Sequence, residues 1–337
     1  MIKTAIITAS IILLTIGSAN ARDEIRIVGS STVLPFVRTV TEHFAAAGNV
    51  PPSVEITGTG NGFKLFCEGV GFEYPDINTT ARPMTKAEFD RCNQNGVTSI
   101  IEIIIGRDGI AFANSKNSPQ YNFSTAQIFS ALAEKVEIGG EIKTNPFTNW
   151  NEIDPSLASQ PIKVMGPPYT SGFYDAFMEL IMEKGGTSFP TIAELDSTQR
   201  YAVSRTLRKD GKYIESPRDE NYILDWLKKH ADAFGILPVS LMVNHVDILK
   251  PNKIDGVVPT ADTIANGTYP LFRPIYLYIK RKHVDAIKGL QKFLYESTSE
   301  KAIGPEGYLS ETGFIPLNDR GRNQARNLAL SLETITK

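Results

Sequence analysis

Histidine, cysteine and long apolar runs are all scarce in this chain, and each scarcity closes off a class of function. His43, His230, His245 and His283 are the only four histidines in 337 residues, and they are scattered. They form no cluster, so the sequence offers no metal site and implies no cofactor. Cys67 and Cys92 are the only cysteines. In an oxidising compartment such a pair most simply forms one disulfide, closing a loop of roughly 25 residues that is worth about 3 kcal/mol. The alternative, a reactive thiol or metal pair, has no supporting histidines. No internal stretch approaches the ~18 consecutive apolar residues of a membrane span.

The N-terminus holds the one marked apolar run. Lys3 precedes the apolar segment Ala5–Ile16, and Ala19-Asn20-Ala21 follows as a small-x-small cleavage site. This pattern is a secretory leader over residues 1–21, cleaved after Ala21. With no cysteine near that point, a lipid anchor is not expected, and the mature chain is an exported, soluble, periplasmic protein. Removal of the leader takes Lys3 from the 35 basic residues and leaves 34 against 37 acidic ones. That balance does not point to nucleic acid or a membrane surface. An anion-binder with this charge must concentrate positive potential locally.

Four segments share one design. Ile25–Val28 reads as a strand, Gly29 breaks it, and Ser30-Ser31-Thr32 leads into a helix whose apolar face carries Phe36, Val40 and Phe44. Ser31 or Thr32 is the expected N-cap, with Pro35 in the first turn. Val54–Thr57 alternates as a strand, and the flexible Gly58-Thr59-Gly60-Asn61-Gly62 precedes a helix expected from Phe63. It is neither a dinucleotide fingerprint nor a phosphate-binding P-loop, because the spacing of both is absent. The third unit runs from Asp76 to Pro83 and places Arg82 ahead of a helix opened by the capping box Thr85–Glu88. Ile162–Gly166, the loop Pro167–Gly172 and a helix bearing Phe173 and Phe177 make the fourth. Helix starts expose unpaired backbone N–H groups, and hydroxyl donors beside them make anion sites.

Between these units Ile100–Ile105 and Gly109–Ala113 read as two further strands, and Ser124–Gln127 caps a helix. Residues 137–161 read as loops, and 198–208, 220–229 and 283–295 have amphipathic helical spacing. Phe272–Ile279 is a late strand whose pairing Pro270 and Pro274 restrict. The polar tail beyond about 318 reads as a loosely docked helix. Alternating short strands and helices predict an α/β fold with mostly parallel sheets. Four donor-rich loops and no catalytic cluster fit a two-lobed cleft for an oxyanion. Six charge-assisted hydrogen bonds at roughly 1.5–3 kcal/mol each exceed the ~8 kcal/mol of micromolar binding before closure costs are subtracted.

Gly29-Ser-Ser-Thr-Val33, Gly58-Thr-Gly-Asn-Gly-Phe63, Arg82-Pro83, Gly166-Pro-Pro168, Thr170-Ser-Gly172 and Gly304-Pro-Glu-Gly-Tyr308 stand in one order along nearly the whole mature chain. In this the chain resembles the periplasmic phosphate-binding component of the phosphate ABC importer. The resemblance implies a type II binding protein of two lobes, 22–108 plus 268–337 and 109–267, joined near Asp108-Gly109 and Tyr269-Pro270. It also implies a non-enzymatic, monomeric protein that closes on inorganic phosphate and delivers it to a membrane permease and its ATPase. Ser31, Thr32, Thr59 and Arg82 would touch the anion from lobe one, and Ser171 and Gly172 from lobe two. The Cys67–Cys92 disulfide has counterparts among similar proteins.

The chain departs from the family where relatives carry a serine before the loop arginine and, in lobe two, Ser-Gly-Thr often followed by an arginine. Ala81, Phe173 and Tyr174 stand there instead. Tyr174 could return one hydroxyl donor. Selecting phosphate over sulfate needs an acceptor for the phosphate proton, and Asp76, Asp108 and Asp175 are the candidates. Other readings are a binding protein or sensor for sulfate, molybdate or a small anionic metabolite, and a secreted phosphatase using Ser31 or Ser171. No histidine near either serine in sequence supports the latter.

Overall fold

A computed structural model describes residues 22–31 and 33–336. The expected leader and the candidate ligand Thr32 lie outside the described residues. Ten strands form one sheet: β1 (Arg26–Gly29), β2 (Ser53–Ile56), β3 (Ile77–Thr80), β4 (Ile100–Ser115), β5 (Val164–Gly166), β6 (Tyr213–Glu215), β7 (Phe234–Pro238), β8 (Leu249–Pro251), β9 (Phe272–Lys280) and β10 (Ile315–Pro316). Their order is β2-β1-β3-β9-β4-β7-β5-β6, with β8 and β10 also pairing β4. At each end three strands run parallel; β9 is antiparallel to β3 and β4, and β4 is antiparallel to β7. The fold is α/β and two-lobed, with a parallel sheet on either side of an antiparallel centre.

Sixteen-residue β4 organises this arrangement. Residues 100–109 pair with β9, and residues 110–114 pair with β7. The sequence reading of two strands here is corrected: the chain runs straight through. Its glycines are not turn residues. A side chain at Gly106 would come within 2.1 Å of the Phe314 ring, and one at Gly109 within 2.5 Å of Ile264. These glycines let other elements press onto an unbroken strand.

The apolar side chains pack on both sides of this strand. One core draws on residues 110–271, centred on Phe112, Phe123, Trp150 and Phe234, and takes Ile315 besides. A second draws on residues 25–105 and 275–332. A smaller cluster around Phe63, Phe66, Tyr278 and the Cys67–Cys92 disulfide adjoins it.

Local readings fare unevenly. The capping boxes Thr85–Glu88 and Ser124–Gln127 open their helices as expected. Residues 137–161, read as loops, include part of a hairpin (Lys135–Ile138 with Glu141–Thr144) and a short helix, Trp150–Ile153. The span 283–295 is broken by Gly289, in the left-handed conformation, into Arg281–Val284 and Leu290–Ser297. The C-terminal helix Asp319–Ser331 is held firmly, because buried Arg322 donates to the Leu317 carbonyl and pairs with Glu300 and Asp319. No helix of the described residues is long and apolar enough to cross a membrane.

Candidate functional site

The site is built from strand ends. β1 stops at Gly29, whose φ of 144° and position against Thr79 exclude any side chain: a Cβ would lie 2.1 Å from the Thr79 oxygen. The following helix, α1 (Leu34–Ala46), is preceded by Val33 without a side-chain cap, which corrects the expectation of a cap from Ser31; the alternative, Thr32, lies outside the described residues. Ser31 instead reaches across the cleft and donates to Asp175 Oδ2 at 3.1 Å.

The second loop also differs from the reading. Helix α2 (Thr59–Phe66) begins at Thr59, so the glycine-rich segment is the helix's first turns. Gly58 precedes it at φ 75°, and Gly62 permits contact with Asn78 of β3, where a Cβ would meet Oδ1 at 2.3 Å. The first-turn N–H groups of α2, lacking partners within the helix, lie at the cleft.

Arg82 follows β3 and forms a fork on Glu88 of helix α3 (Lys86–Gln94), at 2.9 and 2.7 Å. Glu88 simultaneously accepts from Thr85, so one carboxylate caps α3 and aims the arginine. That pairing raises the arginine's pKa further, and the guanidinium lies 5.6 Å from the Phe63 ring centroid.

From the other lobe, Ser171 caps helix α4 (Gly172–Phe177), accepting from the Tyr174 N–H at 3.1 Å. Its hydroxyl proton remains to donate, and Gly172 supplies a first-turn N–H. Asp175 accepts from Arg205 at 3.2 Å besides Ser31. Arg205 closes helix α5 (Ser197–Arg205), and its other nitrogen donates to Glu183.

These side chains enclose two adjoining chambers. The larger, about 460 Å³, takes Ser31, Thr59, Ala81 and Arg82 from one side and Asp175, Glu179, Tyr201 and Arg205 from the other. The smaller, about 180 Å³, is lined by Phe36, Asp108, Ser171, Phe173 and Glu220, among others. Ser31 and Arg273 border both. Arg273 is buried and donates to Asp108 Oδ2 at 2.9 Å, while Asp108 Oδ1 accepts from the Gly109 N–H. Three arginines therefore face the cleft, each set in place by a carboxylate.

Residues 15–301 match the PBP superfamily domain. The chain belongs to the PBP superfamily. Protein SphX of Synechococcus elongatus is 32% identical over 86% of this chain and 76% of its own length. The phosphate-binding protein PstS of Staphylococcus saprophyticus is 26% identical over 93% and 88%. Among solved structures, a possible phosphate binding protein from Planctomyces limnophilus superposes with a TM-score of 0.73 at 23% identity, covering 92% of this chain and 98% of that one. An ABC-type phosphate transport receptor from Vibrio cholerae gives 0.60 at 20%, covering 87% and 99%. The superfamily's fold is thus shared along nearly the whole chain.

Of the residues singled out by sequence, Ser31, Thr59 and Arg82 meet in the larger chamber, and Ser171 lines the smaller one beside Ser31. Tyr174 lies elsewhere: its ring packs 5.0 Å from Tyr169 and 6.1 Å from Phe177. Burial pushes its hydroxyl up to about 12. Phe173 forms a wall of the smaller chamber and leaves the larger one open. Asp76 is fully buried among Arg22, the Arg26 N–H and His283, which removes it from the candidates for a phosphate proton. Sequence reasoning missed Arg205, Arg273 and Glu179. Glu179 had a signal, standing four residues beyond Asp175 on one helical face. The two arginines had none, since each acquires its place through a partner distant in sequence.

Proposed function

We propose that this protein is an extracytoplasmic solute-binding protein that captures inorganic phosphate between its lobes for an ABC importer. Lobe one comprises 22–108 plus 268–337 and lobe two 109–267, with a leader removed after Ala21. The carrying observation is the meeting of Ser31, Thr59 and Arg82 with Asp175 and Arg205 around one chamber. The relatives named phosphate-binding proteins support the choice of anion.

Phosphate entering the chamber takes the Ser31 hydrogen bond that Asp175 now accepts and meets the α2 amides and the Arg82 N–H groups that Glu88 and the Pro83 carbonyl leave unused. Ser171 and Gly172 approach from lobe two as the cleft narrows. Asp175 then accepts the proton that monohydrogen phosphate carries. Sulfate has no such proton at neutral pH and would face Asp175 and Glu179 as bare like charges. Asp175 is therefore the residue that selects phosphate. Asp108 is spent on Arg273 and the Gly109 amide.

The protein releases its cargo unchanged to a permease with an ATPase, acts as a monomer in the periplasm, and needs no cofactor. All four histidine rings are engaged outside the cleft: His43 on Tyr308, His230 on Trp226, His245 at the Leu241 carbonyl and His283 at Asp76. None activates Ser31 or Ser171 as a nucleophile. Calorimetric titration of ligand-stripped protein tests the reading. Heat with phosphate and none with sulfate is expected, together with no turnover of an aryl phosphate. Equal heats for both anions, or product release, would overturn it.

A further inference from the structure

A third chamber, apart from the two of the cleft, lies behind the crossing strands, and its floor is made by an irregularity in β4. Against β9, Ile275 pairs Gly106 but Tyr276 pairs Ile104, so Ile105 is an extra residue in the ladder. The bulge resets the alternation, and Glu102, Ile104 and Arg107 all border the same cavity of about 360 Å³. The C-terminal helix roofs it with Gln324 and Leu328, and Asn266 closes the side that belongs to the 109–267 half of the chain.

Arg107 differs from the three cleft arginines. Among the described residues it has no carboxylate within ion-pair distance. One terminal nitrogen donates to the Ile264 carbonyl, and the guanidinium lies 4.7 Å from the Phe272 ring centroid. Its Nε is buried and has no hydrogen-bond partner among the described residues. Burial lowers its pKa, so the cation is held there at a cost. A guanidinium fork with no anion, at the edge of a half-apolar cavity, is suited to a carboxylate.

We infer that this cavity is a second ligand site, for a small monocarboxylate with an apolar tail, in which Arg107 takes the carboxylate and Ile104, Leu317 and Leu328 take the tail. Glu102 sets the charge class. Its carboxylate and the Arg107 guanidinium cancel, so a monoanion adds a single net negative charge, whereas a dianion such as phosphate adds two and is disfavoured. Because Asn266 and the C-terminal helix lie on opposite sides of the crossing, an acid bound between them is linked to cleft opening.

Calorimetry with hexanoate as probe tests this, with acetate and hexanol as controls lacking the tail or the charge. Wild-type protein should bind hexanoate at one site and bind the two controls at least ~10-fold more weakly. Arg107→Gln should weaken hexanoate by ~10-fold or more. Leu328→Trp, on a half-exposed helix face, should fill the cavity and abolish binding in a protein that still melts cooperatively. Arg82→Ala should leave hexanoate binding unchanged. No heat with wild type, a response that survives both cavity variants, or one that disappears with Arg82→Ala would each overturn the proposal.

Discussion

Each arginine of the cleft is placed by a carboxylate, and what that carboxylate does next decides the residue's role. Arg82 is aimed by Glu88, which also caps α3. Arg82→Gln should therefore cost about 1.5–3 kcal/mol of phosphate binding, a loss of roughly 10- to 100-fold in the dissociation constant by calorimetry. Asp175 should behave differently. Asp175→Asn removes the like charge that sulfate meets, so the phosphate-to-sulfate affinity ratio should fall by ~10-fold or more. An unchanged ratio would take selection away from Asp175. A third side chain speaks to stability. Lys280 is buried, with its ammonium 5.1 and 5.3 Å from the Phe66 and Tyr74 rings and donating to the Gly69 carbonyl. Desolvation pushes it down to about 7. In the unfolded chain it stays protonated to about 10.4, so burial costs stability in full below pH 7, and the cost fades as pH rises between those values. Lys280→Met should raise the urea midpoint at about pH 6.5, with the gain vanishing by about pH 10.5.

At the level of elements, the repeated strand–loop–helix unit was legible because it rests on local chemistry. Capping boxes, apolar periodicity and glycine after a strand act within a few residues, and Thr85, Ser124 and Gly29 do what their neighbours imply. What misled were glycines that serve packing. The strand β4 read as two, ending at Ile105 and restarting at Gly109, and Gly60 and Gly62 read as loop, because only the tertiary structure brings Phe314, Ile264 and Asn78 against the chain. The cleft divides along the same line. Ser31, Thr59, Arg82 and Ser171 stand at helix starts and were named, whereas Arg205 and Arg273 owe their position to Glu183 and Asp108, and no local pattern announces that. The disulfide belongs to this scale too. Cys67 ends α2 and Cys92 lies in α3, so the bridge ties the two helices behind the anion loops, across 25 residues. The double variant Cys67→Ala/Cys92→Ala should lose about 3 kcal/mol in denaturant titration and still bind phosphate.

For the whole molecule, one continuous strand carries the connection between the halves, and β9 starts where β4 passes from one to the other. Under the proposed function, the lobes would close by bending about a few residues near Asp108, Gly109 and Phe272, where β4 and β9 are paired. Phosphate should draw the lobes together, and the radius of gyration from solution scattering should fall on its addition, while sulfate leaves it unchanged. The Ser31–Asp175 contact already joins the two sides, so closure needs an exchange of hydrogen-bond partners rather than new elements. A crystal structure of the phosphate complex is the most direct measurement of this account. It should place the anion within hydrogen-bond distance of Ser31, Arg82 and Ser171 together, with Asp175 accepting its proton. Phosphate bound by one lobe alone, or anywhere outside this cleft, would contradict it.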